Sequence, residues 1–588
     1  MSDEQRNFLL AGLLTLLVLI GWDYFFGGFS GTRAPSTNVE ATAPQTDAPS
    51  LPTAGSGAQP AAPAVSPGQP ETAHKRPLDR KQALARTPRV PIATPRLSGS
   101  ISLKGGLIDD LVLKDYRVSV ERDAPNVVLL KPAGTDHAYF AAFGWSAPEG
   151  TDTETPGLDT LWQTDDRVLS PGHPVRLTWT NRRGVVFTRT IAVDENFMFT
   201  VTDAVRNPTT APAVLAPWGL VNRRGEPKVA GYYMMHEGPL GVFNDALVEK
   251  TYKDLKKDGD FRESTVSGWL GITDKYWLVA AVPDQKIPFT GRFIRREGKA
   301  GPRYQTDFLA EQTVIPAGGE RQFTTRLFAG AKEVDLIENY AELYQIKLFD
   351  RAIDWGWFIF LTKPIFYTLD WLYELTGSFA IAILLLTVLV KALFFPLANK
   401  SYHAMARMKA VQPKMKALQE RYKDDKERLQ REMMELYRKE KVNPAAGCLP
   451  MLIQIPVFFA LYKVLFVTIE MRHQPGLFWV KDLSAPDHLT IVNLFGMIPW
   501  DPPSFLAIGV WPMIMGLVMF LQQRLNPPAG DPVQQKVMMA MPFFFMFIMA
   551  RFPAGLVMYW TWNTVLSGLQ QWYIMRRDRL AREGGGAA

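Results

Sequence analysis

The chain has 588 residues, 47% apolar and 21% charged, with a formal net charge of +7; this length admits several domains, and the mixture admits both soluble and membrane-embedded parts. Cys448 is the single cysteine, which excludes an intrachain disulfide and a multi-cysteine metal site. Seven scattered histidines show no metal-ligand spacing and no cofactor motif is present; the basic residues gather beside apolar stretches, so a phospholipid bilayer is the expected partner of the charge and specific DNA is not.

Residues 8–26 are apolar over about the length that crosses a bilayer, ending in Trp22, Tyr24, Phe25 and Phe26, which suit its edge. Asp3 and Glu4 precede them against only Arg6, and no small-x-small cleavage site follows, so residues 1–29 read as an uncleaved transmembrane anchor rather than a signal peptide. Residues 30–95 hold twelve prolines and no Phe, Tyr, Trp or Met, a composition that cannot bury a core and predicts a linker. Over 96–335, short alternating runs such as Val175 to Trp179 and Phe197 to Val201 are parted by turn formers at 181–184 and Asn207-Pro208, which predicts an all-β sandwich. A short connecting helix is expected over 333–347. Residues 349–375 mix Trp355, Trp357, Phe360 and Trp371 with Asp350, Arg351, Lys363 and Asp370; this suits an amphipathic helix lying in the membrane interface, the alternative being a helix packed on the β-domain.

Five apolar stretches follow, at 379–398, 448–469, 504–522, 533–551 and 553–575, and predict a five-helix membrane core over 377–577. Residues 399–441 carry thirteen Lys or Arg against seven acids, and Arg576, Arg577, Arg579 and Arg582 stand at the C-terminal end, whereas 470–503 has only Arg472 and Lys481. The positive-inside rule then makes the first loop and the tail at 578–588 cytoplasmic and the 470–503 loop and the β-domain external, with both termini inside. Tyr402, Met405, Met408, Val411, Met415 and Leu418 recur at helical spacing, as do Leu429, Met433 and Leu436 after a charged turn containing Asp424 and Asp425. A basic helical hairpin is expected over 399–443, either a solvated spacer or a surface whose methionines, with Lys414 among its basic residues, receive a nascent chain or ribosomal RNA.

Lys391 stands about two-thirds of the way through the first span, where a charge costs roughly 2.5–3.5 kcal/mol. It either snorkels to the headgroups or faces a hydrated groove. Thr387 lies one turn before it on the same face; Gln454, Thr561, Asn563 and Thr564 interrupt other spans, each readable alone as helix-to-helix glue and together as a polar groove. No acid stands at depth to neutralise the charge. No GxSxG elbow, Walker loop or HExxH pair is present, and a nucleophilic serine is missing from the sequence around Lys391, so no catalytic residue is expected.

Thr387 to Lys391 followed by Pro396, then Gln412-Pro413-Lys414, Glu440 to Pro444, Gly447-Cys448, Gln454-Ile455-Pro456, Asp531-Pro532 and Phe552 to Leu556 together resemble the YidC insertase family. Gly268-Trp269-Leu270-Gly271 is similar to the external β-supersandwich of its Gram-negative form. The resemblance implies an inner-membrane insertase without cofactor, taking nascent membrane proteins alone or with the Sec translocon, with a ribosome as a further partner. It makes Lys391 the positive residue of a hydrophilic groove that Gln454 and Trp560 line. Many relatives carry arginine there, so the bidentate fork is lost while the charge is kept. The alternatives are an anion channel or transporter using Lys391 and, for the β-domain, a carbohydrate module, for which His173, His236, Glu237 and Asp274 form no recognisable acid/base pair.

Overall fold

The computed structural model describes residues 78–584 except 152, 228–234, 299–300, 423–424, 441–448, 496, 499, 501–506 and 527–531. The expected anchor at 1–29, most of the linker and Asp424 lie outside the described residues. The chain divides into two compact units, Met1–Asp354 and Trp355–Ala588.

Alternation builds the first unit. In Val186–Val193 every second side chain is buried, the period that gives a strand one core face. The ten-stranded sheet runs, in hydrogen-bonded order, Arg89–Ala93, Leu97–Ser102, Leu107–Arg117, Tyr139–Ser146, Ala213–Arg224, Gly301–Ala310, Phe289–Gly298 and Phe261–Thr265; Asn126–Leu130 and Thr313–Ile315 pair off this path. The eight-stranded sheet runs Ala246–Glu249, Gly238–Phe243, Gly268–Thr273, Trp277–Val282, Glu320–Ala331, Met198–Arg206, Val186–Val193 and Val175–Thr180. Neighbours pair antiparallel, the β-supersandwich expected.

One side chain ties the sheets. Arg189, on Val186–Val193, is 1% exposed. Its Nε donates to Asp203 Oδ1 at 2.7 Å, Nη1 donates to the Gly106 carbonyl at 3.2 Å, and Nη2 donates to the Phe143 carbonyl on the ten-stranded sheet. Gly106 has φ +60°, and a Cβ there would stand 2.8 Å from Nη1, so glycine makes room for the guanidinium. Burial pushes the Asp203 carboxyl up while the guanidinium pulls it back.

The linker ends earlier than its composition predicts. Asp79 caps a helix at Arg80–Leu84 (α1), and Arg89–Ala93 buries Val90 and Ile92 while exposing Pro91. Proline is tolerated on an edge strand, which lacks one ladder; counting prolines hid an alternating pair of aliphatics. Thr251 and Asp254 form a capping box on Tyr252–Asp258 (α2), and the connecting helix spans Val334–Leu343 (α3).

The helix expected over 349–375 is also corrected. Phe349–Ala352 is a single 3-10 turn, with Phe349 edge-on to Trp269 at 5.3 Å and to Phe328 at 5.7 Å, and Trp269 Nε1 donates to the Lys347 carbonyl at 3.2 Å. Left-handed Leu348 and Gly356 interrupt the chain, so the helix begins only at Ile359. This helix, Ile359–Thr376 (α4), buries Ile365, Phe366, Leu369 and Leu372 and exposes Phe360, Tyr367, Trp371 and Leu375.

The second unit continues with Phe379–Leu393 (α5), Phe395–Arg421 (α6), Lys426–Lys439 (α7), Leu449–Val467 (α8), Val510–Gln523 (α9), Pro532–Met549 (α10) and Ala554–Gly584 (α11). The span expected over 379–398 is not one straight helix: α5 and α6 meet at a 69° bend. Pro396 has no N–H for the helix ladder and its ring crowds the preceding turn, which ends α5. Among the described residues no single helix is long and apolar enough to cross a membrane, and the bent pair is by length and composition. The helices α8 to α11 fall on the other four expected spans, and α11 runs on into what was expected as a tail. Leu389 and Leu393 on α5, Leu517 and Leu521 on α9, and Phe543 and Phe547 on α10 are exposed, apolar surface that suits lipid rather than water.

Replacing Arg189 by Ala strands a buried carboxylate, so the β-unit should lose about 3–5 kcal/mol. Hydrogen-exchange protection across Val186–Arg206 in the full chain reads this, and unchanged protection would remove Arg189 as the tie between the sheets.

Candidate functional site

The last turn of α5 carries Lys391, two residues before the helix ends at Leu393. Carbonyls at a helix C-terminus lack intrahelical donors and carry partial negative charge, which favours an ammonium there. Lys391 Nζ donates to Ser567 Oγ on α11 at 2.6 Å, and Ser567 Oγ donates to the Asn563 carbonyl one turn earlier at 2.8 Å. Ammonium, hydroxyl and carbonyl thus form a short relay between α5 and α11. Among the described residues Lys391 has no ion pair.

A second polar contact joins α8 to α11, where Gln454 Nε2 donates to Tyr559 Oη. Trp560, next along α11, turns to an aromatic wall: it lies edge-on to Phe458 at 4.8 Å and stacks on Phe545 at 6.0 Å. The structure therefore brings Lys391 and Asn563 into one cluster through Ser567. Thr387 lies buried beside them, but its hydroxyl donates to the Ile383 carbonyl at 2.7 Å. Thr561 and Thr564 spend theirs likewise on Val557 and Trp560 carbonyls, each at 2.7 Å. These three threonines spend their hydroxyls within their own helices rather than gluing one helix to another.

Sequence reasoning missed Ser567 and Tyr559. The absence of a serine near Lys391 in sequence is overturned in space, 176 positions along the chain. Trp560, Asn563, Thr564 and Ser567 recur at three and four residues, a signal that marks one face of α11. With Lys391 donating and the serine proton turned to a carbonyl, the pair positions a charge and has no free base to make a nucleophile.

Two helices, α6 and α7, form over the basic segment, and several of its methionines pack within them while Met434 is exposed. Met408, Met433, Leu436 and Tyr437 pack against buried Val411 and Met415, holding α6 to α7. Met405 is half-buried. Asp425 caps α7 by accepting from Arg428 N–H at 3.0 Å, and exposed Lys414 meets Glu440 at 2.6 Å. His403 on α6 lies 2.6 Å from Asp578 on α11.

Comparison with known proteins covers both units. The family described as YidC periplasmic domain matches residues 89–368, and the 60Kd inner membrane protein family matches 371–581. The chain is 51% identical to the membrane protein insertase YidC of Beijerinckia indica subsp. indica and 49% identical to that of Methylobacterium radiotolerans, each over 98% of this chain and 96% of the relative. A crystal structure of an active YidC insertase with its first transmembrane domain resolved aligns over 82% of this chain and 91% of its own, at 19% identity and TM-score 0.36.

Substituting Ser567 by Ala removes the acceptor of the ammonium. A hydrogen bond to a charged group contributes about 1.5–3 kcal/mol, so thermal unfolding of the helical unit should come earlier and the Lys391 amine should react faster with an amine-directed reagent. Unchanged melting and unchanged reactivity would break the relay.

Proposed function

Since the chain belongs to the YidC family of inner-membrane protein insertases, we propose that Lys391 is the charge through which it handles nascent membrane proteins. The observation that carries this reading is the ammonium held by a neutral hydroxyl at a broken helix end. A guest carboxylate or a hydrated polar flank can take over that donor without first displacing a protein acid. Gln454 and Asn563 add polar lining, Trp560 offers the apolar side, and Thr387 fixes the turn beneath Lys391.

Energy comes from the guest. Hydrating its polar flanks lowers the cost of carrying them through hydrocarbon, while transfer of about 20 apolar residues into lipid supplies the drive. The membrane potential adds roughly 2.3 kcal/mol per charge per 100 mV to outward movement of acidic segments.

The same reading places both termini and the basic hairpin in the cytoplasm and the 470–503 loop and the β-unit outside. The thirteen basic residues between 399 and 441 support this orientation and support a contact with the ribosome, while work alone or beside the Sec translocon belongs to the family reading. The exposed aromatic face of α4 supports its lying in the interface.

Purified full-length protein in liposomes with a small one- or two-span client tests the charge. Lys391→Ala should slow insertion at least about tenfold, equivalent to ~1.4 kcal/mol of barrier, and Lys391→Arg should largely retain it. Full activity of Lys391→Ala would leave a snorkelling lysine; anion flux without insertion would favour a transporter. Deleting residues 100–320 should leave insertion in place, and its loss would assign the β-unit a direct part.

A further inference from the structure

The loop between α8 and α9 has a polar base and an apolar tip. At the base, the Asp487 carboxylate accepts from Trp479 Nε1 at 3.1 Å, Leu489 N–H at 3.1 Å and Trp511 N–H at 2.8 Å. Thr490 bridges to Gly509, and Val510 N–H donates to the Leu489 carbonyl at 2.9 Å. From Leu489 to Trp500 no residue is charged. Ile491, Leu494, Phe495, Ile498 and Trp500 are exposed, and Met497 is exposed to 75%.

The backbone holds these side chains outward at a cost. Leu494 and Phe495 have φ of +47° and +59°, a left-handed conformation that bulky residues rarely adopt. Yet several described amides of the turn are paired within it: Leu494 N–H donates to Ile491 O at 2.9 Å, Phe495 N–H to Thr490 O at 2.8 Å and Ile498 N–H to Asn493 O at 3.1 Å. Non-helical backbone tolerates an apolar surrounding only when its polar groups are paired internally. An uncharged tip of large aliphatic and aromatic side chains on such a turn is matched to hydrocarbon and mismatched to water.

We propose that this tip inserts into the outer-leaflet interface and anchors the loop beside the helices. Lipid is the occupant because the base is continuous with α9, whose exposed Leu517 and Leu521 already form apolar surface, and because Trp500 suits the headgroup boundary. The choice of leaflet, though not the insertion, rests on the orientation proposed above.

The test uses full-length protein with Cys448→Ser, carrying Met497→Cys or, at the exposed base, Lys481→Cys, each labelled with NBD in vesicles of phosphatidylethanolamine and phosphatidylglycerol. At position 497 the emission should shift to the blue, and doxyl-labelled lipid should quench it several-fold more than at 481, with iodide showing the reverse order. Iodide quenching at 497 equal to that at 481 would overturn the insertion. A blue shift without lipid quenching, the signature of a second copy or a protein segment over the tip, would overturn it too. Impermeant maleimide on intact cells reads orientation separately: labelling at 481 from outside supports the outer leaflet, and labelling only after lysis overturns the leaflet while the lipid quenching still decides insertion.

Discussion

An ammonium among apolar helices must be held by something, and the local architecture of the helical unit follows from how Lys391 is held. The charge sits where α5 stops, and Pro396 enforces the stop by refusing the next ladder bond. A straight helix through Phe394 would occupy those carbonyls with amides and withdraw the negative end of the dipole from the amine. The 69° bend and the placement of the lysine are therefore one feature rather than two. The opposing helix completes it with a serine, whose oxygen accepts from the amine while its proton goes to a carbonyl of its own helix.

That division of labour explains why only some of the polar residues in these helices carry weight. A threonine bonded back to the carbonyl four residues earlier has met its need within the helix. Thr387, Thr561 and Thr564 do this, so they thin the apolar surface without soliciting a partner. Ser567 makes the same back-bond and still accepts from another helix. Gln454 cannot close on its own turn in that way and reaches across to Tyr559. The cross-helix polar contacts thus centre on α11, whose aromatic Trp560 turns toward Phe458 and Phe545.

Much of this was legible in the sequence, and the misses share a cause. Period-two alternation marked the sandwich strands because burial on one face imposes it. The same rule was overlooked at Val90 and Ile92, where three prolines between 88 and 95 dominated the composition. Aromatic content suggested one long helix over 349–375, but Phe349 spends its ring on Trp269 and Phe328, a tertiary contact that no local pattern encodes. Hairpin methionines looked exposed because their spacing fits one face equally well whether that face meets a guest or the partner helix; Met408, Met415 and Met433 share one packed cluster, while Met434 is exposed. Ser567 was invisible from Lys391 because only folding brings 391 and 567 together, although the face it shares with Asn563 was countable.

The chemistry of the cluster suits the proposed handling of a client better than the selection of an anion. Selecting a small anion calls for several convergent donors, since one donor per site discriminates poorly and a bidentate fork does better. Here the donor is a single lysine amine, already shared with a hydroxyl. Immediately along α11 the lining turns aromatic, with Trp560 against two phenylalanines. A hydrated ion gains nothing from that wall, whereas a segment with a polar end and an apolar body can use both surfaces at once. Weak, unselective polar contact beside apolar surface is what a client-tolerant protein needs, because a tight site would hold the guest it must release into lipid.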